Sequence, residues 1–314
     1  MRLVGDIGGT NARFAIAEPG KHPHGARKLL AAQYPSLVEA AEDYLSGAAK
    51  VEEAVLAVAG PVLGDEVVFT NSAWQFSIED VRQRLGLRKL VVINDLVAQA
   101  LSFAALRPDE IGAVKSGTRV PGQPAVVIGP GTGLGVAFLL NHAGTLVGFP
   151  SEAGHATFAP MDRSQVEILS RLQGRYPHVS VERLLSGSGL LAIATTLAEI
   201  KGQTIDVHDP RDVSARAAAG QCPVCIEAIR IFSSILGSTA GNLALTLLAG
   251  GGLIITGGLC RALRPLWDGE ALSRAFVAKG QFEPYLDGIP IEQILRPHAG
   301  LLGAAMYAEQ SLSN

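Results

Sequence analysis

Two glycine-rich turns follow apolar strands in this 314-residue chain. The first is Asp6-Ile7-Gly8-Gly9-Thr10-Asn11. Its glycines let backbone amides approach a phosphate, Thr10 supplies a hydroxyl, and Asp6 can hold a hydrated Mg²⁺. The same residues also describe an ordinary hairpin turn with a solvated aspartate. The second turn is Gly129-Pro130-Gly131-Thr132-Gly133-Leu134-Gly135. It is not a P-loop, because no Gly-Lys-Ser/Thr follows. A dinucleotide fingerprint must open a helix, whereas 136–140 is apolar and reads as a strand. A phosphate-holding hairpin fits both turns.

Three further groups could do chemistry. Asn94-Asp95 stands at the carboxyl end of the apolar strand 90–93, where open α/β sheets place ligand groups. Asp95 could equally cap the helix that follows. Ser151-Glu152-Ala153-Gly154-His155 sets a carboxylate and an imidazole three residues apart. A di-metal helix would need a second Glu-x-x-His, which the chain lacks, and Gly154 argues against a helix. The readings left are two polar groups converging on a ligand, or a solvated loop. Cys222-Pro223-Val224-Cys225 has no second pair, so inert thiols at a helix start are expected rather than a zinc or redox site.

The elements that must position these residues can be read from hydrophobic patterning. Strands are expected at 3–7, 13–17, 54–59, 67–70, 89–94, 125–128, 136–140, 253–256 and 289–291. Helices begin at Ser36 and Ser77, each Ser serving as cap, and others cover 96–106 and 301–310. His22 and His24 read as part of a solvated loop, 107–123 as a crossover, and the chain after 140 as helical until 253. The stretch 233–259 carries no charge and could span a bilayer by length. Asn242 and Gly250-Gly251-Gly252 interrupt it, so a buried helix, a turn and a central strand are expected instead. Gly9-Thr10 recurs as Gly131-Thr132 with similar apolar flanks, which suggests duplicated lobes with a cleft between them.

Composition narrows the function. There are 26 Lys+Arg against 29 Asp+Glu, a net charge of −3, which argues against holding nucleic acid or an anionic membrane by bulk charge. Aromatics amount to 10 Phe, 5 Tyr and 2 Trp, too few for base-stacking platforms. Three Cys exclude a disulfide scaffold and fit a reducing cytoplasm. No apolar run forms at the N-terminus, where Asp6 follows Leu3-Val4-Gly5, so no signal peptide is expected.

Taken together in order, Asp6-Ile7-Gly8-Gly9-Thr10-Asn11-Ala12-Arg13, Ala59-Gly60-Pro61-Val62, Thr70-Asn71-Ser72-Ala73-Trp74, Ile93-Asn94-Asp95-Leu96, Gly131-Thr132-Gly133-Leu134-Gly135, Glu152-Ala153-Gly154-His155, Glu182-Arg183-Leu184-Leu185-Ser186-Gly187 and Gly257-Gly258 resemble the proteobacterial-type glucokinases of the hexokinase–actin ATPase superfamily. The resemblance runs from residue 3 to about residue 305. It implies an α/β fold of two lobes, each a ribonuclease-H-like sheet with helices, around a central cleft. The small lobe would be 1–106 plus the C-terminal helix 298–314, and the large lobe 107–297.

The resemblance also implies roles. Asp95 would be the general base and Asn94 a sugar contact, while Glu152, His155 and Glu182 would hold sugar hydroxyls. Asp6, Gly8, Gly9, Thr10 and Asn11, with Gly131, Thr132 and Gly133, would hold the ATP phosphates, and Gly257 and Gly258 would lie by the adenosine. Asp6 would hold Mg²⁺ through water. The co-substrate is MgATP, the acceptor glucose, and no zinc is expected, because Ala156-Thr157-Phe158-Ala159-Pro160 stands where a related family carries a Cys-rich zinc loop. The family allows a homodimer in the cytoplasm. The expected activity is glucose phosphorylation; the alternative is an ATP-dependent kinase of fructose, mannose or an amino sugar. An actin-like scaffold ATPase or a sugar sensor would leave either the sugar-side residues or Asp95 unexplained. Removal of Glu182 or His155 is expected to raise KM for glucose far more than KM for ATP.

Overall fold

The computed structural model describes residues 1–47, 50–60, 62–69 and 74–312. Pro61 and residues 70–73, which carry two of the family-like motifs, lie outside the described residues. The chain forms two compact units: Met1–Pro108 with Asn141–Pro150 and Arg296–Asn314, and Asp109–Leu140 with Ser151–Leu295.

The first unit is built on β1 (Arg2–Ile7), β2 (Asn11–Ala17), β3 (His24–Leu30), β4 (Glu53–Val58), the small pair β5 (Glu66–Val68) and β6 (Gln75–Ser77), and β7 (Lys89–Asn94). Its main sheet has the order β3-β2-β1-β4-β7. β1, β4 and β7 run parallel, while β2 is antiparallel to β1 and β3 to β2. The central parallel strands β1 and β4 are buried on both faces, as such strands must be. Leu3 and Ile7 point to one face with Phe14 and Leu56, where helices Leu37–Leu45 and Ile78–Arg84 pack. Val4 points to the other with Val55 and Ala57, against helices Asp95–Ser102 and Ala299–Leu312. Those two helices meet at Gly303, where a Cβ would stand 1.6 Å from the Ala98 carbonyl oxygen. Ser36 and Ser77 cap their helices as expected, accepting the Val38 and Asp80 amides.

The second sheet is formed by β8 (Ile111–Lys115), β9 (Ala125–Pro130), β10 (Leu134–His142), β11 (Thr145–Ser151), β12 (Leu253–Ile255) and β13 (Ile291–Ile294), in the order β11-β10-β9-β12-β13-β8. β9, β12 and β13 are parallel. Apart from β8 this repeats the first sheet: an antiparallel meander, then two parallel strands on its far side. The weak glycine-turn repeat of the sequence is thus a repeat of sheet order. The bounds differ from the expected ones: the first unit runs to Pro108 rather than 106 and resumes at Arg296 rather than 298. Asn141–Pro150, inside the range read as the large lobe, belongs to the first unit. Gly148 explains this locally, since its Cβ would meet Val97 at 2.7 Å.

The uncharged stretch is a core helix, a glycine turn and a central strand. Helix Pro223–Leu247 is long and apolar enough to cross a membrane, but it is mostly buried. Gly237 and Gly241 let it touch helix Gly269–Val277, with would-be Cβ atoms 2.0 Å from the Leu272 oxygen and 2.4 Å from the Phe276 oxygen.

Four strands depart from the sequence reading, β6 before the Ser77 helix being one of them. β3 replaces the expected loop at His24, β8 lies inside the expected crossover, and β11 follows β10 through Ala143 and Gly144, both at positive φ. β3 buries only Leu29, so backbone pairing with β2 rather than an apolar face makes it a strand. The last strand begins at Ile291 instead of 289, because Pro290 has no amide to give to a ladder.

Candidate active site

In the first unit the candidate residues gather at the carboxyl ends of the parallel strands. Asp6 shares the face of Val4, which turns it toward the helix Ala299–Leu312. A Cβ on Gly300, in the first turn of that helix, would stand 3.2 Å from the Asp6 carboxyl carbon. The lack of a side chain there lets a carboxylate approach a helix N-terminus, where the macrodipole favours negative charge. Arg13 stands opposite Asp6 in the β1–β2 register, with Nη1 3.7 Å from Oδ2.

The turn Gly8-Gly9-Thr10 is closed by the Gly8 amide donating to the Asn11 carbonyl at 2.9 Å. The Ala31 amide donates to the Thr10 carbonyl at 3.0 Å. Asn11 Oδ1 and Arg13 Nε are buried without a hydrogen-bond partner. Such atoms cost about 1–3 kcal/mol each unless a ligand or water satisfies them. Arg13 was absent from the sequence-predicted set. Its signal was the strand period, which puts residues 11 and 13 on one face.

Asn94, rather than Asp95, caps the helix that follows β7. Its Oδ1 accepts the Leu96 amide at 3.0 Å and the Val97 amide at 3.2 Å, and its Nδ2 donates to the Gly60 carbonyl at 3.2 Å. Asn94 is therefore the helix cap, and Asp95 is the first helical residue. Ile7 pairs with Val58 and Val58 with Asn94, so the first glycine turn and Asp95 leave the same edge of the sheet. The two strands lie about 10 Å apart, two strand spacings.

In the second unit, β9 and β10 are joined by Gly131-Thr132-Gly133. The Gly131 amide donates to the Gly133 carbonyl at 2.8 Å, and the Gly187 amide donates to the Gly131 carbonyl at 2.9 Å. Gly187 begins the helix Gly187–Ile200, capped by Ser186, whose Oγ accepts the Gly189 amide. A helix N-terminus thus backs the turn, an arrangement that suits an anion. Thr132 is exposed at the tip. Gly257, at φ +95°, precedes the helix Gly258–Leu263, and its Cβ would stand 2.4 Å from the Pro130 oxygen. Gly257 and Gly258 therefore adjoin the start of the same turn.

Glu152, His155 and Glu182 come together in this unit. His155 Nε2 is 3.7 Å from Glu152 Oε2, and His155 Nδ1 is 3.9 Å from Glu182 Oε1. The short helical turns Ala153–His155 and Val181–Arg183 carry them. Glu152 and His155 are largely exposed, at 66% and 60%, whereas Glu182 is 31% exposed. Glu182 has a partner that sequence reading missed: its Oε2 accepts the Leu134 amide at 2.8 Å, one residue beyond the glycine turn. Gly154 lies on the same leucine, with a would-be Cβ 2.4 Å from the Leu134 oxygen. His178 donates from Nε2 to the His155 carbonyl at 3.0 Å, since the carbonyl can only accept.

Among the described residues no three His, Cys, Asp or Glu side chains assemble as metal ligands. This suits Mg²⁺, which is commonly held by one or two carboxylates plus substrate phosphates. Asp6 is a hard oxygen donor beside a turn with two unsatisfied polar atoms, so the residues fit a hydrated Mg²⁺ carried on a phosphate. Cys222 and Cys225 are buried, and the Cys225 amide donates to Cys222 Sγ. Burial and the neighbouring Cys222 push the Cys225 thiol up to about 12, the opposite of an activated cysteine.

A repeated sheet with a glycine hairpin in each copy, and carboxylates at the strand ends, defines a sugar kinase of the actin-like ATPase fold. The crystal structure of a glucokinase from an Antarctic psychrotroph superposes with a TM-score of 0.90 at 33% identity, over 99% of both chains. The sequence matches the Glucokinase family over residues 3–311. It is 42% identical to the glucokinase of Aromatoleum aromaticum, over 99% of this chain and 96% of that one. It is 41% identical to that of Nitrobacter hamburgensis, over 97% and 96%. The chain belongs to the glucokinase family.

Proposed function

We propose that the protein transfers the γ-phosphoryl group of MgATP to the 6-hydroxyl of glucose, giving glucose 6-phosphate and ADP, the first step of glycolysis, in the cytoplasm. The observation that carries the reading is the cap at Asn94: it leaves Asp95 out of helix capping, at the same sheet edge as the first phosphate turn. Asp95 takes the proton of the 6-hydroxyl, and the oxygen then attacks the γ-phosphorus while ADP departs. A positioned carboxylate contributes about 10²–10⁴-fold to such a step.

Glu152, His155 and Glu182 hold the sugar hydroxyls. Asn94 contributes the amide hydrogen that Gly60 does not use. Asp6, Gly8, Gly9, Thr10 and Asn11 and the turn Gly131-Thr132-Gly133 hold the phosphates. Arg13 joins the first set, because its cation adjoins Asp6 and its Nε lacks a partner. Gly257 and Gly258 flank the nucleotide, leaving room for adenosine. Asp6 would hold Mg²⁺ through water, and the ion when bound would neutralise phosphate charge.

The test is ADP release by the purified protein with glucose, fructose, mannose and N-acetylglucosamine at one concentration. Glucose is expected to give the highest turnover. A higher rate with another hexose reassigns the acceptor, and turnover independent of sugar overturns the reading.

A further inference from the structure

Glu182 uses its two oxygens in different directions. Oε2 accepts the Leu134 amide at 2.8 Å and lies 2.5 Å from where a Cβ of Gly133 would stand. Oε1 faces His155 at 3.9 Å. Five residues on, the Gly187 amide holds the Gly131 carbonyl at 2.9 Å. One short segment, 182–187, therefore grips the turn Gly131-Thr132-Gly133 near both of its ends. Leu134 is the point of convergence: its amide is held by Glu182, and its carbonyl packs on Gly154 of the Glu-x-Gly-His segment.

We propose that Glu182 couples the two substrates, anchoring the phosphate turn through Oε2 while a sugar hydroxyl bonds Oε1, so that glucose and the nucleotide bind more tightly together than apart. The inference rests on the assignment of Glu182 to the sugar and of this turn to the phosphates. Two physical effects give the sign. A hydroxyl donated to Oε1 offsets carboxylate charge beside a site for anions, which removes part of a repulsion that phosphate meets. It also fixes a mobile Glu side chain, and through the Leu134 amide it orders the turn, so the second ligand loses less conformational freedom. The two bonds use different oxygens, so neither ligand displaces the anchor. Coupling between binding sites is reciprocal: the factor by which glucose tightens nucleotide binding must equal the factor by which nucleotide tightens glucose binding.

The experiment measures the Kd of a non-hydrolysable ATP analogue with Mg²⁺, by calorimetry, with and without saturating glucose. In the native sequence glucose is expected to lower that Kd about fivefold or more. Glu182→Gln keeps a carbonyl acceptor for the Leu134 amide but loses the charge and the second acceptor. With the repulsive charge gone, it should bind the analogue at least as tightly as the native protein does without glucose, and the coupling factor should fall to near one. Glu182→Ala, losing the anchor as well, should weaken the analogue about fivefold even without glucose. Gly133→Ala approaches from the other side: its Cβ displaces the carboxylate and should weaken glucose, measured with no nucleotide present, about fivefold. This variant also decides the matter if Glu182→Ala does not fold. A coupling factor of one in the native protein, or wild-type coupling in Glu182→Gln, overturns the proposal while leaving the glucokinase reading intact. Absence of glucose binding to the native protein overturns both.

Discussion

The two glycine turns share a three-residue length and a place between the first two strands of an antiparallel meander, yet they need glycine for different reasons. Neither Gly8 nor Gly133 has a positive φ, so backbone freedom is not the explanation. At Gly133 the Glu182 carboxylate occupies the space a side chain would take, and would have to move to admit one. At Gly8 the nearest atom to a would-be Cβ is the Asn11 oxygen at 3.7 Å, an ordinary contact. Its chain neighbours apart, no other described atom lies within 4 Å of that position. The carboxylates differ in the same way. Asp95 begins a helix whose cap is made by Asn94, whereas Glu182 is tied to its turn by a hydrogen bond. In the first unit Asp95 and the glycine turn leave different strands, whereas in the second the Glu182 carboxylate bonds the residue that follows the turn.

The largest effect that would sharpen this contrast is at Asp95. Asp95→Asn should lose about 10²-fold or more in kcat, with circular dichroism and melting temperature near those of the native protein. Retained turnover would remove the base assignment. Next comes the pair of sugar-side variants. His155→Ala should raise KM for glucose about tenfold, by losing one charge-assisted hydrogen bond, and leave KM for ATP nearly unchanged. Glu182→Ala should raise both, because it also releases the Leu134 amide. This departs from the expectation that both variants raise KM for glucose far more than KM for ATP; steady-state kinetics with each substrate varied in turn distinguishes them. If Glu182→Ala acts on glucose only, the two carboxylates do not differ as described.

A smaller effect is expected at Gly8. Gly8→Ala should change stability by no more than about 0.5 kcal/mol, as surface substitutions do. It should nonetheless raise KM for ATP, with KM for glucose unmoved. A large fall in melting temperature would mean that the turn is needed by the fold rather than by a ligand. The smallest effect concerns the thiols. Because burial and Cys222 push Cys225 up to about 12, this thiol stays protonated at pH 8. Iodoacetamide at that pH should therefore not modify Cys225 of the folded protein, as read by mass spectrometry. Double substitution of Cys222 and Cys225 by Ser should keep turnover within about tenfold, with some loss of stability. The pure protein should carry no stoichiometric zinc.

Much of the fold was legible because its central strands are apolar runs ended by glycine or by polar caps. Val55 to Val58 and Leu90 to Ile93 announce themselves, and Ser36 and Ser77 mark helix starts by their hydroxyls. The strand β3 was not legible, because its residues other than Leu29 face water and leave no pattern. β8 and β11 were hidden for a related reason, as edge strands take their shape from a neighbour's backbone. Among the site residues, motif order marked Asp6, Asn94, Asp95, Glu152, His155 and Glu182. It did not mark Arg13, Leu134 or His178, whose parts depend on what stands opposite or beneath them.

The sequence by itself determined the residue types that follow the strands: glycines in the turns, carboxylates and an imidazole near them, and apolar runs that must be buried. Those are local properties, set by side-chain chemistry and by the two- and 3.6-residue periods. Only the tertiary structure decided which group serves which partner. Asn94 rather than Asp95 caps the helix because its Oδ1 reaches two amides at once. Gly300 admits Asp6 because the C-terminal helix packs on the face of β1 that Val4 shares. Glu182 meets Leu134 across 48 positions of sequence. Such pairings arise from sheet register and helix packing, which bring distant residues within hydrogen-bond reach, and no local pattern records that distance.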